Sequence, residues 1–281
     1  MTWVVGMASD RGYAALVSDI RVTLPSGERE DCLRKVYAVG PHVAVGFSGS
    51  VLAGFVMVAD LTQYLRLEER DKAWIPRAVA EEWKRGARRL FAQLMTKEPS
   101  VERLGCQLLF AAAAPTENVT GTEYPRSYVW RMRSPDFEPE YVESNTLTAV
   151  GSGNADVQFR GALAQLNSER VKQLLDRLED EDPGEFKLAR AVLFAISLPV
   201  VMRPIETVSP HLHLCVVTRG GIGTATNSRN EHYPDGRTFT FTMPPVAETY
   251  EQFEIFMKKQ GYSAAHASCT AEVPWVNSQI S

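Results

Sequence analysis

The sequence is poor in cysteine and carries no strong charge of either sign, and each absence excludes a class of protein. Its four cysteines, at positions 32, 106, 215 and 269, lie far apart and form no Cys-x-x-Cys pair. That pattern favours reduced thiols over a disulfide framework or a zinc site. A formal net charge of -4 gives no reason to expect a nucleic-acid or membrane-surface partner. We therefore expect a cytoplasmic protein.

Long hydrophobic runs are also missing. The most apolar stretches span residues 51–61 and 188–201. Both are shorter than a bilayer-spanning helix, and Arg190 interrupts the second, so buried helices are expected instead. Residues 1–7 are apolar, but no basic stretch precedes them, which argues against a signal peptide. With 44% hydrophobic and 23% charged residues, the chain is expected to be globular with a sizeable core.

Hydrophobic periodicity and turn residues predict a mixed architecture. Strands are expected at residues 3–8, 13–18, 36–39, 42–47, 106–113, 128–132, 141–150, 211–218, 222–226 and 238–242. Helices are expected at residues 51–67, 76–95, 154–166, 186–196 and 248–259. Strands that alternate with pairs of helices predict an α+β fold, in which two antiparallel sheets carry helices on their outer faces.

Thr2 is the first candidate for chemistry. A hydroxyl nucleophile needs a base, and a free α-amine, with a reference pKa of about 7.7–8.0, can be that base. Thr2 would carry both groups if Met1 were removed, and its small side chain is compatible with that removal. If Met1 is kept, Thr2 is an ordinary strand residue, and Thr2 taken alone favours that interpretation.

Lys35 and Asp19 strengthen the catalytic interpretation. A lysine cation near the amine disfavours the protonated amine, which lowers its pKa and makes it a better base. Asp19, at the end of the second predicted strand, could hold the lysine in place, although a surface salt bridge is the alternative for either residue. Glycines at residues 46–50 and 151–154 lie where strands turn into helices. The N–H groups of these glycines could bind a developing oxyanion. Alternatively, the two glycine-containing turns could simply cap helices or bind phosphate weakly.

The ordered set of these residues resembles the proteasome β-subunit and HslV-type peptidase family of N-terminal nucleophile hydrolases, with bacterial proteasome homologues as the nearest subgroup. The resemblance rests on Thr2, Ser18-Asp19-Ile20-Arg21, Arg34-Lys35-Val36, Gly46-Phe47-Ser48-Gly49 and Val150-Gly151-Ser152-Gly153. The spacing from Asp19 to Gly49 fits the family without gaps, whereas the first hairpin is one residue longer. The order of elements matches over residues 2–226.

The resemblance implies a role for each matching residue. Thr2 would be the nucleophile and its freed amine the base, with Lys35 lowering the pKa of that amine. Asp19 would orient Lys35, and the Gly49 N–H would serve the oxyanion hole. Ser152 falls on a family serine that hydrogen-bonds near the terminal amine.

Five further residues correspond less directly to the family or depart from it. Glu206 and Ser209 fall where the family has an aspartate and a serine, so glutamate replaces aspartate. Arg21 and Thr23, together with Gly49, would line the sheet edge at which an extended peptide adds a strand. Trp3 is bulky where the family has a small residue.

The resemblance thus implies a four-layer αββα sandwich over residues 1–230, with residues 231–281 as an extension packed on the same domain or on a neighbouring subunit. The implied activity is that of a threonine-type endopeptidase acting on peptides or unfolded proteins, without metal or cofactor. It would work inside a homo-oligomeric ring or stacked double ring, with an ATP-dependent unfoldase as a candidate partner. Two alternatives stay open: an N-terminal nucleophile amidohydrolase of a small amide, which needs no enclosing ring, and a non-catalytic ring or scaffold subunit.

Overall fold

The structure, a computed structural model, describes residues 3–68, 76–151, 157–168, 208–232 and 238–267. Its strands are β1 (Val4–Ala8), β2 (Ala14–Asp19), β3 (Arg21–Thr23), β4 (Arg29–Asp31), β5 (Val36–Gly40), β6 (Val43–Gly49), β7 (Cys106–Asn118), β8 (Pro125–Arg133), β9 (Glu140–Val142), β10 (Thr148–Val150), β11 (Leu212–Thr218), β12 (Gly221–Thr226), β13 (Arg229–His232) and β14 (Thr238–Phe241). Its α-helices are α1 (Val51–Glu68), α2 (Pro76–Lys97), α3 (Ser100–Leu104), α4 (Val157–Leu166) and α5 (Tyr250–Lys259). The helix predicted at residues 186–196 lies outside the described residues.

The first sheet has five antiparallel strands in the order β10-β1-β2-β11-β12. β1 and β2 form the predicted N-terminal hairpin, with Val4 opposite Ser18. β11 extends the sheet beside β2, with Leu212 opposite Asp19. Every residue of β1 and β2 is buried, as expected for apolar strands that are covered on both faces. The end of β2 that carries Asp19 therefore lies in the interior of the molecule.

The second sheet also has five antiparallel strands, in the order β5-β6-β7-β8-β9. β5 and β6 are the second predicted hairpin, with Val36 opposite Gly46. β6 is fully buried and pairs on its other side with β7, where Gly49 lies opposite Cys106. Since α1 begins at Val51, the residues Gly49 and Ser50 connect a central strand directly to a helix.

The two sheets pack face to face across a layer of mostly small apolar side chains. This layer contains Val4, Ala8, Ala14, Leu16, Val36, Ala44, Leu109, Ala111, Ala113, Val129, Val150, Cys215 and Val217. Glycine permits close approach at two points: a Cβ on Gly46 would lie 2.5 Å from Val4 Cγ1, and one on Gly6 would lie 3.1 Å from Leu109 Cδ2. Any larger residue at Gly46 would push the sheets apart where β1 begins.

Helices cover the outer face of each sheet. On the second sheet, Phe47 of β6 shares a buried cluster with Met57 of α1 and Trp83 of α2. On the first sheet, Phe159 of α4 packs against Trp3, with 4.4 Å between ring centroids. The structure is therefore α+β, with antiparallel sheets and helices on their outer faces. Among the described helices, none combines the length and hydropathy needed to cross a bilayer.

The stretch predicted as strand at residues 141–150 is divided between the two sheets. β9 pairs with β8 in the second sheet, and β10 pairs with β1 in the first. The polar residues between them form the crossing, and Asn145 adopts a positive φ of 59° there, a conformation that asparagine tolerates better than most residues. The prediction was wrong in treating the stretch as continuous, because its strand-forming residues lie only at its two ends.

Within the predicted extension, the residues around α5 pack on the second sheet and on α1, whereas Phe241 of β14 stacks on His211 next to the first sheet. Leu33 and Ala247 form an isolated parallel bridge. Phe253 and Met257 of α5 are fully buried in the same apolar cluster as α1, and Ala267 joins them. The division of the chain at residue 230 stays a prediction.

Candidate functional site

Asp19 is a fully buried carboxylate that accepts four hydrogen bonds. Its Oδ1 accepts from the Trp3 N–H at 2.9 Å and from Lys35 Nζ at 3.0 Å. Its Oδ2 accepts from the Arg21 N–H at 3.1 Å and from the Ser209 N–H at 3.3 Å. A buried carboxylate is stable only when its oxygens are satisfied in this way. Asp19 therefore joins four separate segments of the chain at one point.

Lys35 lies just before β5 and is completely buried. Its ammonium contacts Asp19 Oδ1 and also donates to the carbonyl oxygen of Arg21 at 2.5 Å. Its own carbonyl accepts the N–H of Phe47 in β6 at 3.1 Å. Lys35 is thus held at both its backbone and its ammonium. The alternative of a surface salt bridge is excluded for Lys35 and Asp19, because both side chains are buried.

Trp3 connects this ion pair to the start of the chain. Its N–H donates to Asp19 Oδ1, and its carbonyl accepts the N–H of Asp19 at 3.2 Å. The Trp3 nitrogen and Lys35 Nζ contact the same carboxylate oxygen, so these two nitrogens are near neighbours. The bulk of the Trp3 ring is accommodated against Phe159 on the outer face of the first sheet. The backbone nitrogen of Trp3 therefore lies within about 6 Å of the buried ammonium, because both contact Asp19 Oδ1.

Gly49 ends β6 in a conformation that favours glycine. Its φ is +97°, and a Cβ there would lie 2.4 Å from the carbonyl oxygen of Gly105. It is two residues beyond Phe47, whose N–H bonds to the Lys35 carbonyl, which corresponds to about 7 Å along the strand. The strand places Gly49 at the same end of β6 as the ion pair, and its part in an oxyanion hole stays a prediction.

Three predicted site residues, Thr2, Ser152 and Glu206, lie outside the described residues. The described ladder between β1 and β10 ends with Val4 opposite Val150. These two residues are each two positions in sequence from Thr2 and Ser152. The structure therefore brings Asp19, Lys35 and Ser209 together, with Gly49 close by in the fold, and the other three assignments stay predictions.

A second charged cluster borders the buried pair, and its central residue, Asp31, was not predicted. Arg21 makes a bidentate contact with Asp31, at 2.7 Å from Nε to Oδ1 and 3.0 Å from Nη2 to Oδ2. The Ser209 hydroxyl donates to Asp31 Oδ2 at 2.7 Å. Burial alone would raise the pKa of Asp31, but the bonds from Arg21 and Ser209 and the Arg21 charge outweigh burial and lower this pKa. Asp31 is consequently a carboxylate at neutral pH.

The predicted substrate edge at Arg21 and Thr23 is a short strand in the structure. β3 pairs with β4, with Arg21 opposite Asp31 and Thr23 opposite Arg29. One edge of β3 is therefore occupied by β4, and the Arg21 carbonyl is used by Lys35. The turn sequence Pro25-Ser26-Gly27 between the two strands is the signal that could have revealed this hairpin and the approach of Asp31.

Two histidines near the site are expected to be neutral at neutral pH. Burial, together with the charges of Arg34 and Lys35, lowers the pKa of His213 to about 4. Burial also lowers the pKa of His211, whose ring stacks on Phe241 with 4.5 Å between centroids. Within the described residues, no group of three or more histidine, cysteine, aspartate or glutamate side chains is placed to hold a metal ion.

No protein-family model matches the chain, and no curated protein matches it.

Proposed function

We propose that this chain is an N-terminal nucleophile hydrolase of the threonine peptidase type, with Thr2 as its first residue after removal of Met1. The observation that carries the proposal is the buried Lys35–Asp19 pair, because the same Asp19 oxygen also accepts the N–H of Trp3. Trp3 directly follows Thr2 in sequence. A buried ammonium beside the start of the chain is what activation of a terminal amine requires.

The reaction uses only groups of this chain and water. The Thr2 hydroxyl attacks the substrate carbonyl while the free α-amine takes its proton, and the Gly49 N–H binds the oxyanion of the tetrahedral intermediate. The protonated amine then gives its proton to the leaving amine, and the C–N bond breaks to leave an acyl ester on Thr2. Water, deprotonated by the same amine, hydrolyses that ester and restores the hydroxyl. Lys35 lowers the pKa of the amine, which keeps a larger fraction of it unprotonated.

The architecture supports this proposal. Two antiparallel sheets that face each other between outer helices have the layer order of the four-layer αββα sandwich. Asp19 ends a strand of one sheet, and Lys35 precedes a strand of the other. The ion pair therefore joins the two sheets, as the N-terminal nucleophile interpretation requires.

The proposed substrate is a peptide or an unfolded protein, bound as an extended strand near Arg21, Thr23 and Gly49. The proposed assembly is a homo-oligomeric ring or double ring in the cytoplasm, supplied by an ATP-dependent unfoldase. Asp19, Lys35, Ser152, Glu206 and Ser209 complete the proposed site.

Replacing Thr2 with alanine tests the proposal. Alanine is also compatible with removal of Met1, so Thr2→Ala keeps the terminal amine and removes only the hydroxyl. We expect hydrolysis of a set of fluorogenic peptides to fall by at least about a thousandfold, as for the loss of a nucleophile in other hydrolases. Thr2→Ser, which keeps a hydroxyl, is the matched control and should retain measurable turnover.

Unchanged turnover in Thr2→Ala would refute the assignment of the nucleophile. Hydrolysis of small amides by a wild-type chain that is monomeric would instead favour the amidohydrolase. A wild-type ring without turnover would favour the non-catalytic subunit.

A further inference from the structure

Asp31 contacts the side chains of two residues whose backbones serve the buried ion pair. Its carboxylate forms the bidentate contact with the Arg21 guanidinium and accepts the Ser209 hydroxyl. The Arg21 N–H and the Ser209 N–H both donate to Asp19 Oδ2. The Arg21 carbonyl accepts from Lys35. Asp31 is therefore linked through Arg21 to both Asp19 and Lys35, and through Ser209 to Asp19.

The geometry of these contacts is rigid. Arg21 and Asp31 are opposite each other in the β3–β4 hairpin, so their backbones are held in register as well. A bidentate arginine–carboxylate contact fixes the orientation of both groups more tightly than a single hydrogen bond does. Ser209 is tied on both sides, since its hydroxyl also accepts the His211 N–H at 3.1 Å. Arg21 Nη1 further donates to the Val208 carbonyl at 3.4 Å.

We propose that Asp31 is a positioning residue that holds Lys35 and Asp19 in their active arrangement through Arg21 and Ser209. The structural part of this inference stands on the contacts alone, and only its consequence for catalysis rests on the proposed function. Asp31 does not contact Lys35 in the network described above, so its effect passes through the Arg21 backbone. Without its carboxylate, the Arg21 guanidinium and the Ser209 hydroxyl lose the contacts through which Asp31 holds these two residues.

The most direct test measures the protection of the Lys35 ammonium rather than enzyme activity. The full chain is treated with an acetyl N-hydroxysuccinimide ester, and acetylation of Lys35 is followed over time by peptide-mapping mass spectrometry. In the wild-type chain Lys35 is buried and should react slowly. In Asp31→Asn we expect it to react at least about tenfold faster, since hydrogen bonds to a charged group are lost.

Two controls separate positioning from general destabilisation. Glu140→Gln removes a carboxylate from another arginine contact, 2.8 Å from Arg131, and should leave Lys35 protected. Alkylation of Cys215 in the same samples reports opening of the sheets, because Cys215 is buried in β11 and burial raises its pKa to about 12. Positioning by Asp31 predicts faster Lys35 acetylation with unchanged Cys215 alkylation.

Equal rates of Lys35 acetylation in the wild type and Asp31→Asn would overturn the proposal. A parallel increase in Lys35 acetylation and Cys215 alkylation would overturn it as well. Should Asp31→Asn fail to fold, Arg21→Lys tests the same link, because it keeps the charge but loses the bidentate contact. It should also expose Lys35. Lys35 that stays protected in Arg21→Lys would overturn the proposal as well.

The labelling result is independent of whether the chain is a peptidase. If wild-type turnover is found, Asp31→Asn should lower kcat by about tenfold or more, since Lys35 beside the proposed base is no longer held in place. A wild-type chain without turnover would refute the proposed function and leave the labelling test unaffected.

Discussion

Lys35 has an environment that stability alone does not explain. Its ammonium is fully buried, with a carboxylate and a carbonyl as its recorded partners. Replacing a buried ion pair by apolar residues of similar size is often neutral or stabilising, because desolvation of both charges is costly. This pair supports the proposed chemistry, because the stability of the core does not require a buried ion pair.

Removing only one charge of the pair should destabilise the protein strongly. We expect Lys35→Met to lower the free energy of unfolding by about 3–5 kcal/mol, because Asp19 is left as a buried charge without its cation. Urea unfolding followed by circular dichroism measures this change.

The double variant Asp19→Asn/Lys35→Met is the control, since it removes both charges. It should be more stable than Lys35→Met alone. A double variant that is less stable than Lys35→Met would show that the uncompensated charge of Asp19 does not cause the loss of stability in Lys35→Met.

The site residues differ in how far the sequence could predict them. Asp19 and Lys35 stand at fixed distances within short local motifs, so their pairing could be predicted. The role of Asp31 depends on Ser209, which is 178 residues away, and on a hairpin of only three residues per strand. A contact over this separation and so short a hairpin both leave little trace in a single sequence, which is why Asp31 was not predicted.

At the scale of elements, the junction of β6 and α1 shapes the site. Gly49 has a φ of +97°, and its Cα is so close to Gly105 that a methyl group would meet the carbonyl oxygen. The next residue, Ser50, donates its N–H to that same carbonyl at 2.8 Å. The junction is therefore held against the segment before β7, and a side chain at position 49 would disturb it.

Gly49→Ala should lower the free energy of unfolding by about 2–3 kcal/mol, because alanine is strained at positive φ and its Cβ has no space. Thermal or urea unfolding measures the change.

Gly86→Ala is the matched control. Gly86 lies within α2, where an added Cβ would meet nothing within 4 Å, so alanine should stabilise the helix by about 0.5–1 kcal/mol. Equal changes in the free energy of unfolding for the two substitutions would show that the positive φ and lack of space at Gly49 do not matter.

Elements with strong periodicity and clear turn residues could be predicted from sequence. The two N-terminal hairpins and the helices α1 and α2 follow the expected ranges closely, because apolar patterning continues over their whole length. The short strands β3 and β4 were missed because each has only three residues, which is too few to give a periodic signal. The change of sheet between β9 and β10 depends on long-range pairing that local patterning does not encode.

At the scale of the whole molecule, the arrangement of sheets and helices brings distant residues to one place. Asp19 lies in the first sheet, Lys35 and Gly49 lie at the second, and Ser209 precedes β11. The α+β class could be predicted because the order of strands and helices determines it. The ring assembly and the division at residue 230 stay predictions, since local patterning does not encode contacts between subunits or between distant parts of the chain.

The central claim is that the chain begins at Thr2 and that this residue is the nucleophile. The most direct measurement is mass spectrometry of the N-terminal peptide of the wild-type chain after reaction with a peptide vinyl sulfone. We expect this peptide to begin at Thr2 and to carry the adduct on Thr2. An N-terminal peptide that retains Met1, or an adduct found only on another residue, would contradict the assignment of Thr2 as the nucleophile.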